Sequence, residues 1–274
     1  MALTPGELAP APKPRGESRV NSVDRALIIL EYLGGQSKEV GVRELGQAIG
    51  LSKSSVHRIL QTLRARGFVK WNPDNARYSL GIKAFEVGCG IIRSLEAHGV
   101  AKAALEQLVA TLGETAFLAV PADGGELVYV DKIDGRRSGR MLPQIGARRP
   151  MHTSGLGKAL LAQLERSEVD RILSAQAAAR DGNKTPEPDE LLQQLETIRR
   201  QGYAEDDEET AEGMYSVGAP LFDYSGRAVA AISVAIPKSA QQPPERVVKL
   251  VEQTAKEISS KLGFNGRPKI NGGA

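Results

Sequence analysis

One cysteine, Cys89, and one tryptophan, Trp71, stand in 274 residues, and aromatic side chains make up only 4% of the chain. A single thiol excludes an internal disulfide framework, and Cys89 is expected to pack as a small apolar residue within a helix. No run of apolar residues approaches the length of a membrane span, and the leading MALTPGELAPAPKPRGESR lacks the hydrophobic stretch of an export signal. The expected compartment is therefore the reducing cytoplasm, with no membrane partner. Only three histidines occur, His57, His98 and His152, far apart in the chain. No set of His, Cys and carboxylate residues has metal-ligand spacing, so neither a metal nor a cofactor is expected. The net charge is nearly balanced at +3, so a surface that attracts a polyanion has to be local.

Such a surface is present between Val42 and Leu80. Arg43, Lys53, Arg58, Arg64, Arg66, Lys70 and Arg77 face only Glu44 and Asp74 there. Val42, Leu45 and Ile49 recur at helical spacing, Gly50 breaks the pattern, and Ser52 stands as the N-cap of a second helix with apolar Val56, Ile59, Leu60 and Leu63. The outward face of that helix carries Lys53, Ser54, Ser55, His57, Arg58, Gln61, Thr62 and Arg64, uninterrupted by any acid. All can hydrogen-bond base edges or phosphates. Gly67 ends the helix, and two short strands around Asn72, Pro73, Asp74 and Asn75 form a hairpin with Lys70 and Arg77 placed for backbone phosphate. Trp71 and Tyr78 are expected to pack. An upstream amphipathic helix from Ser22 to Leu33 completes a three-helix core, giving a winged helix-turn-helix over residues 20–81, a module that reads double-stranded DNA.

Residues 1–19, rich in Pro and Ala, are expected to be a disordered arm. Residues 82–98 form an apolar linker helix that must bury its stripe, and a DNA-reading domain of this size gains half-site spacing by pairing, so a contact with a second copy is expected there. Residues 99–263 read as a second domain. Its elements are a helix to Leu112, a hairpin of Ala116–Val120 and Leu127–Ile133, a third strand near Arg140–Ile145, helices after Ser154, over Glu168–Ala175 and over Glu187–Arg200, strands Tyr215–Phe222 and Ala228–Ile236, and a last helix from Pro244 to Leu262. Strands in hairpins with helices between the pairs indicate an antiparallel sheet and the α+β class. Residues 264–274 are expected to be a disordered tail.

Two segments of this second domain carry polar groups suited to a small ligand. In MHTSGLGKALLA, Thr153, Ser154 and Gly155 open a helix whose free amides favour an anion. The spacing of Gly155, Gly157 and Lys158 fails the phosphate-loop pattern, because His152 and Ala159 stand at two required positions. Downstream, Asp206, Asp207, Glu208 and Glu209 form an acidic run that reads mainly as a solvated loop. In the strands beyond it, alternation puts Ser216, Gly218 and Pro220 on one face and Ala231, Ser233 and Ala235 on one face of the partner strand. Met141, Leu142, Met151, Leu156 and Met214 are candidates for an apolar wall. An alternative assigns a small-molecule hydrolase to Ser154 and His152, with the basic domain as a protein interface.

The segments SVDRALIILEYL with VRELGQAIGLSKSSVHRILQTLRARGFV, then MHTSGLGKALLA, then GYAEDDEETAEGMYSVGAPLFDYSGRAVAAISVAIP together resemble the IclR family of bacterial transcriptional regulators, over most of Val20–Leu262. The resemblance implies a winged helix-turn-helix, a linker helix and a GAF-like effector domain, assembled as dimers or dimers of dimers on palindromic promoter sites. It further implies an organic or aromatic acid as effector, held at the backbone of Gly155 and Leu156 and at Asp206, Ser216, Ser233 and Ala235; Ser154 at the helix mouth and Met214 of the apolar wall complete the candidate set. Ser216 and Ala235 stand where glyoxylate-binding members have Cys and Ser. The exchange removes one hydrogen bond and favours a larger or less polar ligand than glyoxylate.

Overall fold

In a computed structural model, the structure describes residues 20–94, 96–136, 142–179, 188–209, 211–240 and 244–271. The arm at residues 1–19, Arg140 and Met141 lie outside them. The chain divides between Ile91 and Ile92 into two compact units.

The first unit is built from α1 (Asn21–Gly34), β1 (Val40–Gly41), α2 (Val42–Ile49), α3 (Lys53–Ala65), β2 (Val69–Asn72) and β3 (Arg77–Leu80). Ile29 and Leu33 of α1, Leu45 of α2, and Val56, Leu60 and Leu63 of α3 meet with Val40, Val69 and Tyr78 in one core. Helices α2 and α3 thus bury the apolar stripe that their sequence period predicts, whereas α1 buries Ile29 and Leu33 and leaves apolar Val23 and Leu27 exposed. Gly50 stops α2 with a left-handed φ of 68°, a conformation that costs a side-chain-bearing residue energy. Ser52 starts α3 by accepting the Ser55 N–H at 3.3 Å. The wing strands pair antiparallel in the order β1-β3-β2. The two-residue β1 is too short to leave an alternation in the sequence.

Helix α4 (Ile82–Ser94) spans the division between the units, and α5 (Glu96–Leu112) follows, starting three residues before the expected break at Gly99. The second unit continues with β4 (Thr115–Ala122), β5 (Glu126–Ile133), β6 (Arg148–Pro150), α6 (Gly155–Leu161), α7 (Arg166–Ala179), α8 (Pro188–Gln201), β7 (Ala204–Asp207), β8 (Met214–Phe222), β9 (Ala228–Pro237) and α9 (Pro244–Lys261). Its sheet is antiparallel throughout, in the order β6-β5-β4-β9-β8-β7. One face packs on α5 and α9 through Leu105, Leu108, Val217, Ile232, Val251 and Ile258. The other packs on α6, α7 and α8 through Phe117, Leu156, Leu160, Ile172, Leu195 and Ala231. The chain is thus an α+β protein with an N-terminal winged helix-turn-helix and a C-terminal antiparallel sheet flanked by helices.

Three expectations are corrected. Of the strand expected at Arg140–Ile145, the described residues 142–145 form no strand, and the edge strand lies at Arg148–Pro150 after Gly146 (φ 86°) turns the chain and Ala147 N–H closes on the Gln144 carbonyl. Asp206 and Asp207, read as loop, belong to edge strand β7. The tail is tied down as far as Asn271. Lys269 N–H donates to the Gly226 carbonyl, Asn271 N–H to Gln163, and Asn271 Nδ2 to the Ala228 carbonyl at 2.9 Å. A hydrogen-bonded tail has no hydrophobic periodicity for a sequence to display. Among the described residues, no helix is long and apolar enough to cross a membrane.

Candidate DNA interface and effector site

On α3 the residues Lys53, His57, Arg58 and Gln61 are exposed, as is Lys70 on the wing. Other members of the expected contact set have partners inside the unit. The hydroxyls of Ser54 and Ser55 lie 3.0 and 2.9 Å from Ser52 Oγ, so they belong to the N-cap cluster. Thr62 Oγ1 donates to the Arg58 carbonyl at 3.2 Å. The Arg64 guanidinium lies 4.9 Å from the centre of the Trp71 ring, a cation–π contact that braces α3 against β2. Arg77 Nη1 donates to the Glu39 carbonyl at 2.7 Å and lies 3.4 Å from the Glu44 carboxylate. Tyr78 is buried and Trp71 half-buried against the same core, as expected of packing residues. Glu39 was not visible as a site residue from the sequence. It gathers Asn72, Asn75 and Arg77 from more than 30 positions away, and no local pattern marks such a partner.

In the second unit, register brings the expected ligand residues onto one sheet face. Asp206 of β7 stands opposite Ser216 of β8, Ser216 opposite Ala235 of β9, and Gly218 opposite Ser233. The sheet continues through Phe117 of β4, opposite Ser233, and Tyr129 of β5, opposite Ala119. Gly218 is required here by close approach. A Cβ on it would lie 2.6 Å from the Leu156 nitrogen, so only glycine lets the start of α6 lie on the strand. The same approach brings Ser216 Oγ and the Asp206 Cβ against Gly155, at 3.3 and 3.5 Å from where a Cβ there would stand. Ser154, Gly155, Leu156, Asp206 and Ser233 are buried, while Met214, Ser216 and Ala235 are half-buried. Leu142, Met151 and Leu156 belong to the apolar cluster on this face.

Ser154 Oγ accepts the Gly157 N–H at 3.1 Å as the N-cap of α6, and the helix is only seven residues long. The Asp206 carboxylate accepts the Glu209 N–H at 2.9 Å. Glu209 in turn lies 2.7 Å from the ammonium of buried Lys158, which also reaches Gln194 Oε1 at 3.4 Å. Tyr129 is buried on the same face; the sequence does not single it out, since alternation alone does not say which side of a hairpin turns toward α6. Burial holds its phenol proton above the ordinary range, with Arg149 opposing and Asp206 reinforcing. Its ring meets Phe117 edge-on at 5.3 Å.

The helix-turn-helix and the second unit each match a family model. Residues 22–73 match the IclR helix-turn-helix domain, and residues 89–260 match the model described as bacterial transcriptional regulator IclR C-terminal. The regulator KdgR of Dickeya chrysanthemi is 35% identical over 252 residues, covering 91% of this chain and 82% of that protein. The crystal structure of the Thermotoga maritima IclR superposes with a TM-score of 0.71 at 31% identity, covering 90% of this chain and all of that one. An IclR homologue from Microbacterium hydrocarbonoxydans, solved with 4-hydroxybenzoate, shares the fold with a TM-score of 0.78 at 21% identity, over 88% of this chain and 98% of that one.

Proposed function

Because the chain belongs to the IclR family of bacterial transcriptional regulators, we propose that the outward face of α3 reads an operator's major groove while the wing rests on backbone phosphate. It is a DNA-binding regulator with an effector-binding C-terminal domain, and not an enzyme. The hydrolase reading of Ser154 and His152 finds no support among these relatives, and the Ser154 hydroxyl is committed to capping α6.

The observation that carries the DNA reading is the acid-free exposed face of α3. Lys53, His57, Arg58 and Gln61 are its readers, Ser54, Ser55, Thr62 and Arg64 flank them, and Lys70 contacts phosphate from the wing, with Arg77 beside it. Exposed apolar side chains on α1 (Val23, Leu27) and α4 (Ile82, Phe85, Val87) favour a second copy as partner, giving two reading heads for a palindromic site, as a dimer or a dimer of dimers. Action on a bacterial promoter places the protein in the cytoplasm.

The effector is an organic acid bound between α6 and the sheet by Ser154, Gly155, Leu156, Asp206, Met214, Ser216, Ser233 and Ala235. Small residues on β8 and β9 let the start of α6 lie against this face, and aromatic Phe117 and Tyr129 extend it, which favours an aromatic acid. Asp206, being a carboxylate, suits a ligand hydroxyl rather than a second anion. That the Microbacterium homologue was crystallised with 4-hydroxybenzoate supports this class.

The test is operator binding by the full chain and by Arg58→Ala. Loss of a base contact should cost about 1 to 3 kcal/mol on the specific duplex. An unchanged affinity removes Arg58 from the reading set.

A further inference from the structure

The turn of the wing is fastened from outside. Asn72 Oδ1 accepts the Asp74 N–H and Asn75 Oδ1 accepts the Arg77 N–H, each at 3.0 Å, so both side-chain oxygens are used within the turn. That leaves the two side-chain amide nitrogens facing outward. Both donate to one carboxylate, that of Glu39: Asn72 Nδ2 lies 2.9 and 3.2 Å from its two oxygens, and Asn75 Nδ2 lies 2.7 Å from Oε2. The main-chain carbonyl of Glu39 takes Arg77 Nη1 as well. Within the turn, Ala76 has a left-handed φ of 56°, a conformation unfavourable for a residue with a Cβ, so surrounding contacts have to hold it.

We propose that Glu39 is a positioning residue for DNA binding: it clamps the wing turn so that Lys70 meets backbone phosphate, and its acceptor oxygens matter more than its negative charge. Hydrogen bonds from Asn75 and Asn72 hold the Glu39 carboxyl below the usual carboxylate range, so the clamp stays charged at neutral pH. The inference rests on the reading of the wing as a phosphate contact.

The sign of the effect separates it from simple electrostatics. An acid on a basic domain repels DNA, so a bystander Glu39 would give tighter binding when removed. The experiment measures affinity of the full chain for a labelled duplex of arbitrary sequence over a range of salt, where phosphate contacts supply nearly all the binding. Glu39→Ala should bind about eightfold more weakly at 0.1 M salt, the loss of one phosphate contact at a slope of about 0.9 per phosphate, and its salt slope should fall by about one. A partly unfolded variant would lose active fraction with an unchanged slope. Glu39→Gln, which keeps an acceptor without the charge, should bind at least as well as the parent chain. Asn75→Ala should reproduce the loss, and combining it with Glu39→Ala should add little. If both Glu39 variants bind more tightly, or if the double variant loses the sum of the two, the clamp is overturned. Lys70→Ala in the same assay tells the two failures apart. A Lys70→Ala that weakens binding while Glu39→Ala does not removes the clamp alone, and a silent Lys70→Ala removes the wing contact and the clamp with it.

Discussion

The Lys158 side chain is 3% exposed, while Glu209, its ion-pair partner, is 36% exposed. The two ends of this pair therefore differ in what is left behind when one is removed. Taking away Glu209 leaves a buried ammonium with the more distant amide oxygen of Gln194, whereas taking away the ammonium leaves a carboxylate that water already reaches. Glu209→Ala should destabilise the second unit by about 2 kcal/mol, below the roughly 3–5 kcal/mol of a fully buried pair because solvent screens this one. Lys158→Met, which keeps the volume and removes the charge, should cost under about 1 kcal/mol. Urea denaturation of both variants decides it, and equal losses would mean that the pair acts as an ordinary surface contact. The pair also bears on the site, since the Glu209 amide is what the Asp206 carboxylate accepts. Lys158 appears in the sequence only as the fourth residue of a glycine-rich helix start, a position that suggested a phosphate loop and was excluded by spacing. Its burial comes from α8 and the Glu209 turn closing over it, which are tertiary facts.

At the scale of elements, α4 leaves Ile82 and Phe85, one turn apart on one face, exposed at 70% and 65%, and Val87 exposed at 56% on another, apolar surface that water does not favour. A two-fold contact counts each side chain twice. Burying Phe85 in such a contact contributes roughly 1.5–3 kcal/mol per copy, so Phe85→Glu should raise the dimer dissociation constant by at least about a hundredfold. Light scattering across a dilution series measures this, and an unchanged mass would place the self-contact elsewhere. Legibility from the sequence follows the length of each element. Helices α2, α3 and α9, and strands β8 and β9, carry enough periods to show their buried faces, and alternation alone put Ser216, Gly218, Ser233 and Ala235 on faces that register then joins. What stayed hidden is short or polar. β1 has two residues, β6 is two arginines and a proline, and β7 reads AEDD, with Asp206 buried only because α6 and β8 cover it. On the DNA side, outward residues were legible from helical period, but their engagement was not. Arg64 over Trp71 and Arg77 against Glu44 are held by partners that no spacing predicts.

A regulator of this kind joins two functions housed in separate compact units, and each should fail independently of the other. An effector shifts promoter affinity only by its differential affinity for two states, typically a factor of about 5 to 150, and the duplex must change effector affinity by the same factor. Ser216 is the position at which to test this, because its hydroxyl lies against the start of α6 at Gly155, within the proposed effector site. Ser216→Leu should crowd the proposed site, leaving duplex affinity within about twofold of the parent chain when no effector is present, and removing any change on adding acid. Arg58→Ala should do the reverse, weakening the duplex while an acid still raises the melting temperature as in the parent chain. The acid is chosen by thermal shift from a panel of hydroxybenzoates, benzoates and short aliphatic acids. Stabilisation by two- and three-carbon acids alone would reject the aromatic class. A Ser216→Leu chain that keeps its full response would move the effector off the β7–β8–β9 face, and an Arg58→Ala chain that no longer feels the acid would show that DNA and effector contacts are not separable.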